Sequence, residues 1–165
     1  MIYLFVIKVG ELKKFNYINI MEKTYIMGEI GMNHQGDINI AKRLIDIAAA
    51  AGCDAVKFQK RNPDVCVPEE QKNKPRSWQG EEMTYLEYKY KVEFGKAEYD
   101  EIDKYCKSKG IAWSASPWDL DSLAFLNEYD IPFIKIPSAM LTNWELLRKS
   151  LATGKQVIFS TGMYY

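Results

Sequence analysis

The sequence predicts an α/β fold, an incomplete TIM (β/α)8 barrel built from about its first five βα units. Three observations predict it. Apolar runs at residues 25–30, 55–58, 111–113, 133–136 and 157–159 each enclose or meet a polar residue, and each is followed by a helix or turn signal. The runs are almost continuously apolar, as strands covered on both faces of a parallel sheet are. The chain has 165 residues, whereas a complete eight-stranded barrel takes about 250.

The elements follow in order. Residues 2–7 are apolar but far short of the roughly 20 needed to span a bilayer. They also lack the basic flank and cleavage site of a secretory signal, so no membrane role is expected. Residues 1–22 form a lead-in of uncertain status: a strand or hairpin of the fold, or upstream sequence read in frame ahead of Met21. The barrel-like domain is expected over 23–165. Asp37 suits an N-cap for a helix whose Ile38, Ala41, Leu44, Ile45 and Ala48 follow the helical period, and Gly52 stands where a helix would end. Residues 59–80, rich in Pro, Asn, Lys and Glu, show no period and are expected to form a loop excursion on the catalytic face. A polar helix is expected over 81–91, with Met83, Tyr85, Leu86, Tyr88 and Tyr90; its tyrosines and Trp78 read as packing. A second helix over 96–109 places Tyr99, Ile102, Tyr105 and Cys106 on one face, before Gly110. Asp119 caps a helix to 128. Asn143 caps another over 144–153, with Glu145 early and Arg148 and Lys149 late, as the helix dipole favours. Gly154 closes it.

Composition narrows the function. Apolar residues make up 47% and charged residues 27%, and the formal net charge is zero, so no basic track exists for a nucleic acid. Three widely spaced cysteines, Cys53, Cys66 and Cys106, form no paired motif, which suits free thiols in a reducing cytoplasm. His34 is the only histidine, so a multi-histidine metal site cannot be built, and no metal ligands are expected in this chain.

A parallel α/β sheet places its chemistry at the carboxyl ends of its strands. Glu29 stands there among apolar neighbours, where a carboxylate must be paired, bound to a cation or used as an acid/base. Lys57 is the obvious partner, and pairing and function are compatible. Lys57 and Lys135 occupy equivalent strand ends, in Val-Lys-Phe and Ile-Lys-Ile. Lysine is rare in an apolar strand, and two such lysines imply a small ligand with at least two negative charges, such as a phosphorylated acid. Ser116, Ser138 and Ser160 each follow a strand, where hydroxyls and free N–H groups suit phosphate or carboxylate oxygens or simply form turns. Asn33 and His34, in the first βα loop, are candidate substrate contacts, although a loop histidine is more often structural.

Six segments in this order resemble the sialic acid synthase (N-acetylneuraminate synthase) family. They are Gly-Glu-Ile-Gly-Met-Asn-His-Gln-Gly-Asp (28–37), Asp-Ala-Val-Lys-Phe-Gln (54–59), Ser-Ala-Ser-Pro-Trp-Asp (114–119), Ile-Lys-Ile-Pro-Ser-Ala (134–139), Leu-Thr-Asn (141–143) and Ser-Thr-Gly-Met (160–163). The resemblance implies condensation of phosphoenolpyruvate with N-acetylmannosamine or a related N-acyl hexosamine, giving a nine-carbon sialic acid and phosphate, with a divalent cation (Mn or Mg). It implies Glu29 as the catalytic carboxylate and Lys57, Ser116 and Lys135 as phosphoenolpyruvate ligands, joined by Ser138 and Ser160. It implies a homodimer for the full-length enzyme. Met140 departs from the family, where many members carry an acidic residue that meets the sugar. The family's metal-binding histidines and its C-terminal antifreeze-like domain have no counterpart here. The chain is therefore expected to be a fragment, inactive alone. Two other readings stand beside this one: a Schiff-base aldolase using Lys135, and a non-catalytic half-barrel that binds anions or another subunit.

Overall fold

Strand β1 (Tyr3–Ile7) lies antiparallel to β2 (Tyr25–Gly31), with Tyr3 opposite Glu29 and Ile7 opposite Tyr25. The computed structural model describes residues 3–7, as backbone, and 24–162. Met21, the expected boundary at 22/23, Met163 and Tyr164–Tyr165 lie outside the described residues. From β2 the sheet grows by parallel pairing to β3 (Ala55–Lys60) and β6 (Ala112–Pro117). β7 (Phe133–Ile136) and β8 (Gln156–Phe159) form a separate parallel pair. Among the described residues no backbone ladder joins β6 to β7; the Ser114 hydroxyl spans the seam by donating to the Phe133 carbonyl at 2.5 Å. The described strands do not close into a barrel.

Helices cover one face of this sheet. Helix α1 (Ile38–Ala50) starts where the Asp37 carboxylate accepts from the N–H groups of Asn39 and Ile40, which satisfies donors that the first turn leaves free. It buries Ala41, Ile45 and Ala48. Helix α5 (Lys96–Lys109) buries Tyr99, Ile102 and Cys106 and stops at Gly110, whose φ of +65° is the left-handed geometry glycine adopts cheaply. Helices α6 (Leu120–Leu126) and α7 (Trp144–Ala152) add Leu123, Leu126, Leu146 and Leu147. These side chains meet Ile30, Val56, Phe58, Ala115, Ile134 and Ile136 from the strands in one core. The outer face of α7 is bare: Trp144 is 74% and Leu151 59% exposed. No helix among the described residues is long and apolar enough to cross a membrane.

The excursion after β3 corrects the expectation of an irregular loop. It holds two one-turn helices, α2 (Pro63–Cys66) and α3 (Glu69–Lys72), then a hairpin of β4 (Pro75–Trp78) and β5 (Glu81–Thr84). Pro63 fits the first helical position, behind the Asn62 cap. Gln79 and Gly80 both take positive φ, +51° and +85°, the geometry of a two-residue hairpin turn. The helix expected over 81–91 begins later, as α4 (Tyr85–Val92), because Thr84 and Glu87 form a reciprocal capping box. Strand β6 runs beyond the expected 111–113, since Ala115 pairs with Phe58 and Ser116 with Gln59.

The first βα loop is clamped against α4. A Cβ on Gly36 would lie 2.1 Å from the Lys91 carbonyl oxygen, and its φ is +78°. Gly52 has the same φ with nothing within 4 Å. Gly36→Ala is therefore expected to cost about 3 kcal/mol, left-handed strain plus a backbone clash, and Gly52→Ala only about 1 kcal/mol. Urea denaturation of the two variants checks this; equal losses would mean that the clamp is absent.

Candidate active site

Strand register explains why Glu29 and Lys57 meet. They are cross-strand partners on β2 and β3, and the register slips by one residue between Glu29 and Gly31, a bulge of the kind that re-aims a side chain. Gly31, with φ +55°, sits beneath the carboxylate: a Cβ there would come 3.0 Å from Glu29 Oε1 and 3.4 Å from Gln59 Nε2. Gly31→Ala would thus push on both side chains of the site. The Lys57 ammonium lies 2.9 Å from Glu29 Oε1 and 2.7 Å from Oε2. It also donates to Ser116 Oγ at 3.1 Å and to the Phe58 carbonyl at 3.3 Å. The two charged side chains are almost out of water, at 6% for Lys57 and 13% for Glu29. Burial pulls the Lys57 pKa below the usual lysine range; the Glu29 carboxylate opposes that shift and the nearby Arg61 adds to it.

Lys135 occupies the matching place on β7. Its ammonium donates to its neighbour's carbonyl, Ile136, at 3.0 Å. Burial lowers its pKa to about 8, helped by the Lys57 charge and opposed by Glu29. The two lysines thus feel each other across the β6–β7 seam. Ser138 opens a short 3-10 turn after β7, and the Ser160 N–H bonds back to the Ile136 carbonyl at 3.1 Å after β8. Among the described residues neither hydroxyl bonds to Lys57 or Lys135. The structure therefore gathers Glu29, Lys57 and Ser116 into one hydrogen-bonded group, sets Lys135 beside it, and leaves Ser138 and Ser160 on adjoining turns.

The first-loop pair divides. Asn33 is exposed. His34 is 1% exposed, its ring stacked on Phe94 at 3.8 Å, and its Nδ1 accepts from the Gly36 N–H at 3.1 Å. Burial drops its pKa to about 4, so it stays neutral. A ring so enclosed offers a ligand no surface; it pins the loop instead, which corrects its expected place as a substrate contact.

Sequence reading passed over Gln59, Arg61 and Trp118. Arg61 donates through Nη2 to Gln59 Oε1, and its guanidinium lies 4.1 Å from the Trp118 ring centre. Their signal was alternation: 57, 59 and 61 fall on one side of β3 and its extension, as 114, 116 and 118 do for β6.

The Glu29 carboxylate is held by Lys57, and among the described residues no group of three or more His, Cys, Asp or Glu side chains could hold an ion. What the site offers is a Lys57 ammonium paired with Glu29, a second lysine, Lys135, whose charge feels both, and serine hydroxyls at the strand ends, an arrangement suited to a small anion with more than one charge.

Known proteins resemble this chain over most of its length. The model of the NeuB family matches residues 44–165. The chain is 38% identical over 145 residues to the N,N'-diacetyllegionaminic acid synthase of Campylobacter jejuni, covering 87% of this chain and 43% of that protein. It is 36% identical to the human N-acetylneuraminate-9-phosphate synthase, covering 84% and 39%. Among solved structures, the N-acetylneuraminic acid (sialic acid) synthetase of Leptospira borgpetersenii in complex with citrate superposes with a TM-score of 0.73 at 29% identity, over 90% of this chain and 50% of that one. The chain thus spans less than half the length of the curated relatives named here.

Proposed function

The chain belongs to the NeuB family, and on that premise we propose that it carries the phosphoenolpyruvate site of a sialic acid synthase. The observation that supports this reading most is the placement of Lys57 and Lys135 at matching strand ends, where the Lys57 charge acts on Lys135 and Glu29 pairs with Lys57. A ligand bearing both carboxylate and phosphate would relieve that repulsion. The Leptospira synthetase was solved with citrate, itself a polycarboxylate, which is in keeping with an anion site in this fold.

In this reading Glu29 fixes the Lys57 ammonium, and Lys57 donates to Ser116 Oγ, which leaves the Ser116 O–H to turn toward the ligand. Lys135, half-buried and tethered only to a carbonyl among its described contacts, supplies the second cation. The turns at Ser138 and Ser160 contribute hydroxyl donors at the same end. The phosphoenolpyruvate methylene carbon then forms a C–C bond with the aldehyde carbon of an N-acyl hexosamine, of the N-acetylmannosamine type. The aldehyde oxygen takes a proton and becomes a hydroxyl; water adds at the former enol carbon, phosphate leaves, and a nine-carbon sialic acid results. The divalent cation (Mn or Mg) and the homodimer implied by the family resemblance belong to this proposal, with metal ligands from outside the described residues.

Calorimetric titration of the chain with phosphoenolpyruvate at pH 7 tests the reading. Binding is expected, weakened tenfold or more by Lys57→Met or Lys135→Met. A folded chain that takes up no phosphoenolpyruvate would overturn it.

One observation favours a second reading. An amine with a pKa of about 8 is a competent Schiff-base nucleophile, so Lys135 could serve an aldolase. Borohydride would then trap a carbonyl substrate on Lys135. Phosphate release from phosphoenolpyruvate without trapping rejects that reading.

A further inference from the structure

Beyond the Lys57 group, along the same two strands, Arg61 and Trp118 meet the excursion at a cavity of about 240 Å³, room for several water-sized groups and so for a small oxyanion. The cavity is separate from the Lys57 site: Glu29, Lys57, Ser116 and Lys135 have no part in its walls. The strands remain tied there, the Trp118 N–H donating to the Lys60 carbonyl at 3.0 Å. The Arg61 guanidinium lies 4.1 Å from the indole centre and donates through Nη2 to Gln59. Arg61 Nε and Trp118 Nε1 are both buried with no hydrogen-bond partner among the described residues. Buried N–H donors nearly always find an acceptor. Helix α4 adds a second cation to the lining, Lys89, whose ammonium lies 4.9 Å from the Tyr85 ring centre and 5.5 Å from that of Tyr88.

The charges on these walls leave a positive surplus. Among the described residues neither Arg61 nor Lys89 forms an ion pair with a carboxylate; their cations rest on aromatic rings. The carboxylate in the lining, Glu93, is already engaged, its Oε1 accepting from the Lys60 ammonium at 3.0 Å and from the Arg61 backbone N–H at 3.1 Å. Cys66 adds no negative charge, because burial and the Asp119 carboxylate beside its thiol push its pKa up to about 12. We propose that this cavity is a second anion site, which binds a phosphate group: the phosphate oxygens take the Arg61 Nε and Trp118 Nε1 N–H groups, and Lys89 supplies a further, charged donor. Donors brought from the ends of β3 and β6 and from α4 suit a tetrahedral oxyanion. A neutral amide would gain nothing from the two cations, and its own N–H would need an acceptor that the lining has already spent on Lys60 and Arg61. Pro63, Val67 and Tyr85 line the rest of the cavity, where the organic part of a phosphate monoester would lie. The site goes beyond the phosphoenolpyruvate reading and does not rest on it.

The test is a titration of the ¹⁵N-labelled chain with inorganic phosphate at constant ionic strength, following the indole N–H resonances of its four tryptophans. The Trp118 signal is assigned by its loss in Trp118→Phe. It is expected to shift and saturate, while the signal of the exposed Trp144 stays in place. Lys89→Met should weaken phosphate about tenfold by the same signal. Lys135→Met, which strikes the first site, should leave the Trp118 titration as it is in the wild type. Saturation by methyl phosphate as well supports a phosphate ester as the ligand, and saturation by inorganic phosphate alone supports the free ion. The proposal is overturned by a Trp118 signal that moves with neither, by an equal response of all four indoles, or by a response that Lys89→Met leaves unchanged. A response lost in Lys135→Met would place the phosphate at the first site and overturn it too, as would a shift with N-methylacetamide in place of phosphate.

Discussion

Lys57→Met is expected to destabilise the chain by about 3–5 kcal/mol, the usual cost of stripping one partner from a buried ion pair. The cost comes from the charge left behind. Glu29 keeps only 13% of its side chain in contact with solvent, and without the ammonium at 2.7 Å its carboxylate must either stay charged in a poor medium or take up a proton. Glu29→Gln leaves the complementary problem, softened because a buried lysine can lose its proton, so about 2–3 kcal/mol is expected. The double variant Glu29→Gln/Lys57→Met removes both charges and should recover to within about 1–2 kcal/mol of the parent. Urea denaturation of the four proteins at pH 7 gives the cycle. Additive losses would show that the pair is not coupled. Recovery of the fold without recovery of phosphoenolpyruvate binding would show that the pair is retained for the ligand, since its stability could be matched by neutral side chains.

The second large effect is in pH. Lys135 has a pKa near 8 in the folded chain against about 10.4 unfolded. Below pH 8 the folded state carries a charged, partly desolvated ammonium that Lys57 repels. Between about pH 8 and 10.4 the unfolded chain binds the extra proton, so this group's contribution to stability rises with pH across that window. Anion binding runs the other way, because it needs the charged amine. Phosphoenolpyruvate affinity is expected to hold up to about pH 8 and to fall toward tenfold per pH unit above it. Lys135→Met should flatten that profile, weaken binding at pH 7 by tenfold or more, and stabilise the chain by about 1 kcal/mol, a figure kept small because solvent screens a half-exposed group. Calorimetric titrations at pH 7, 8 and 9 decide it. A wild-type affinity that does not change over this range would mean that Lys135 keeps its proton throughout and is not the coupled cation described.

Legibility in the sequence followed the range of the interactions. Asp37, Asp119, Asn143 and Gly110 announced helix ends because each acts within three or four residues of itself, and each cap lies where expected. The excursion was misread for the same reason turned round. Its turn uses Gln79–Gly80 in place of the commoner Asn-Gly, and its polar strands have no apolar alternation to betray them. The pairing of Glu29 with Lys57 was anticipated from charge alone, since two opposite charges on neighbouring apolar strands have few other partners. His34 was read as a loop contact because nothing local shows that Phe94, sixty positions on, stacks over it.

By itself, then, the sequence determined the order of β2, β3, β6, β7 and β8 and of the helices outside the excursion, the caps at Asp37, Asp119 and Asn143, the polar residues at the strand ends and the family. All of these depend on periodicity, capping and residue type, which are properties of short windows. The tertiary structure alone decided the bulge that turns Glu29 onto Lys57, the burial of Lys135 that, with the Lys57 charge, lowers its pKa, the burial of His34, and the Arg61–Trp118 stack. Each depends on which distant segments share a dry, low-dielectric space. There, a displacement of an ångström or two changes both the strength of a charge interaction and whether a donor finds a partner.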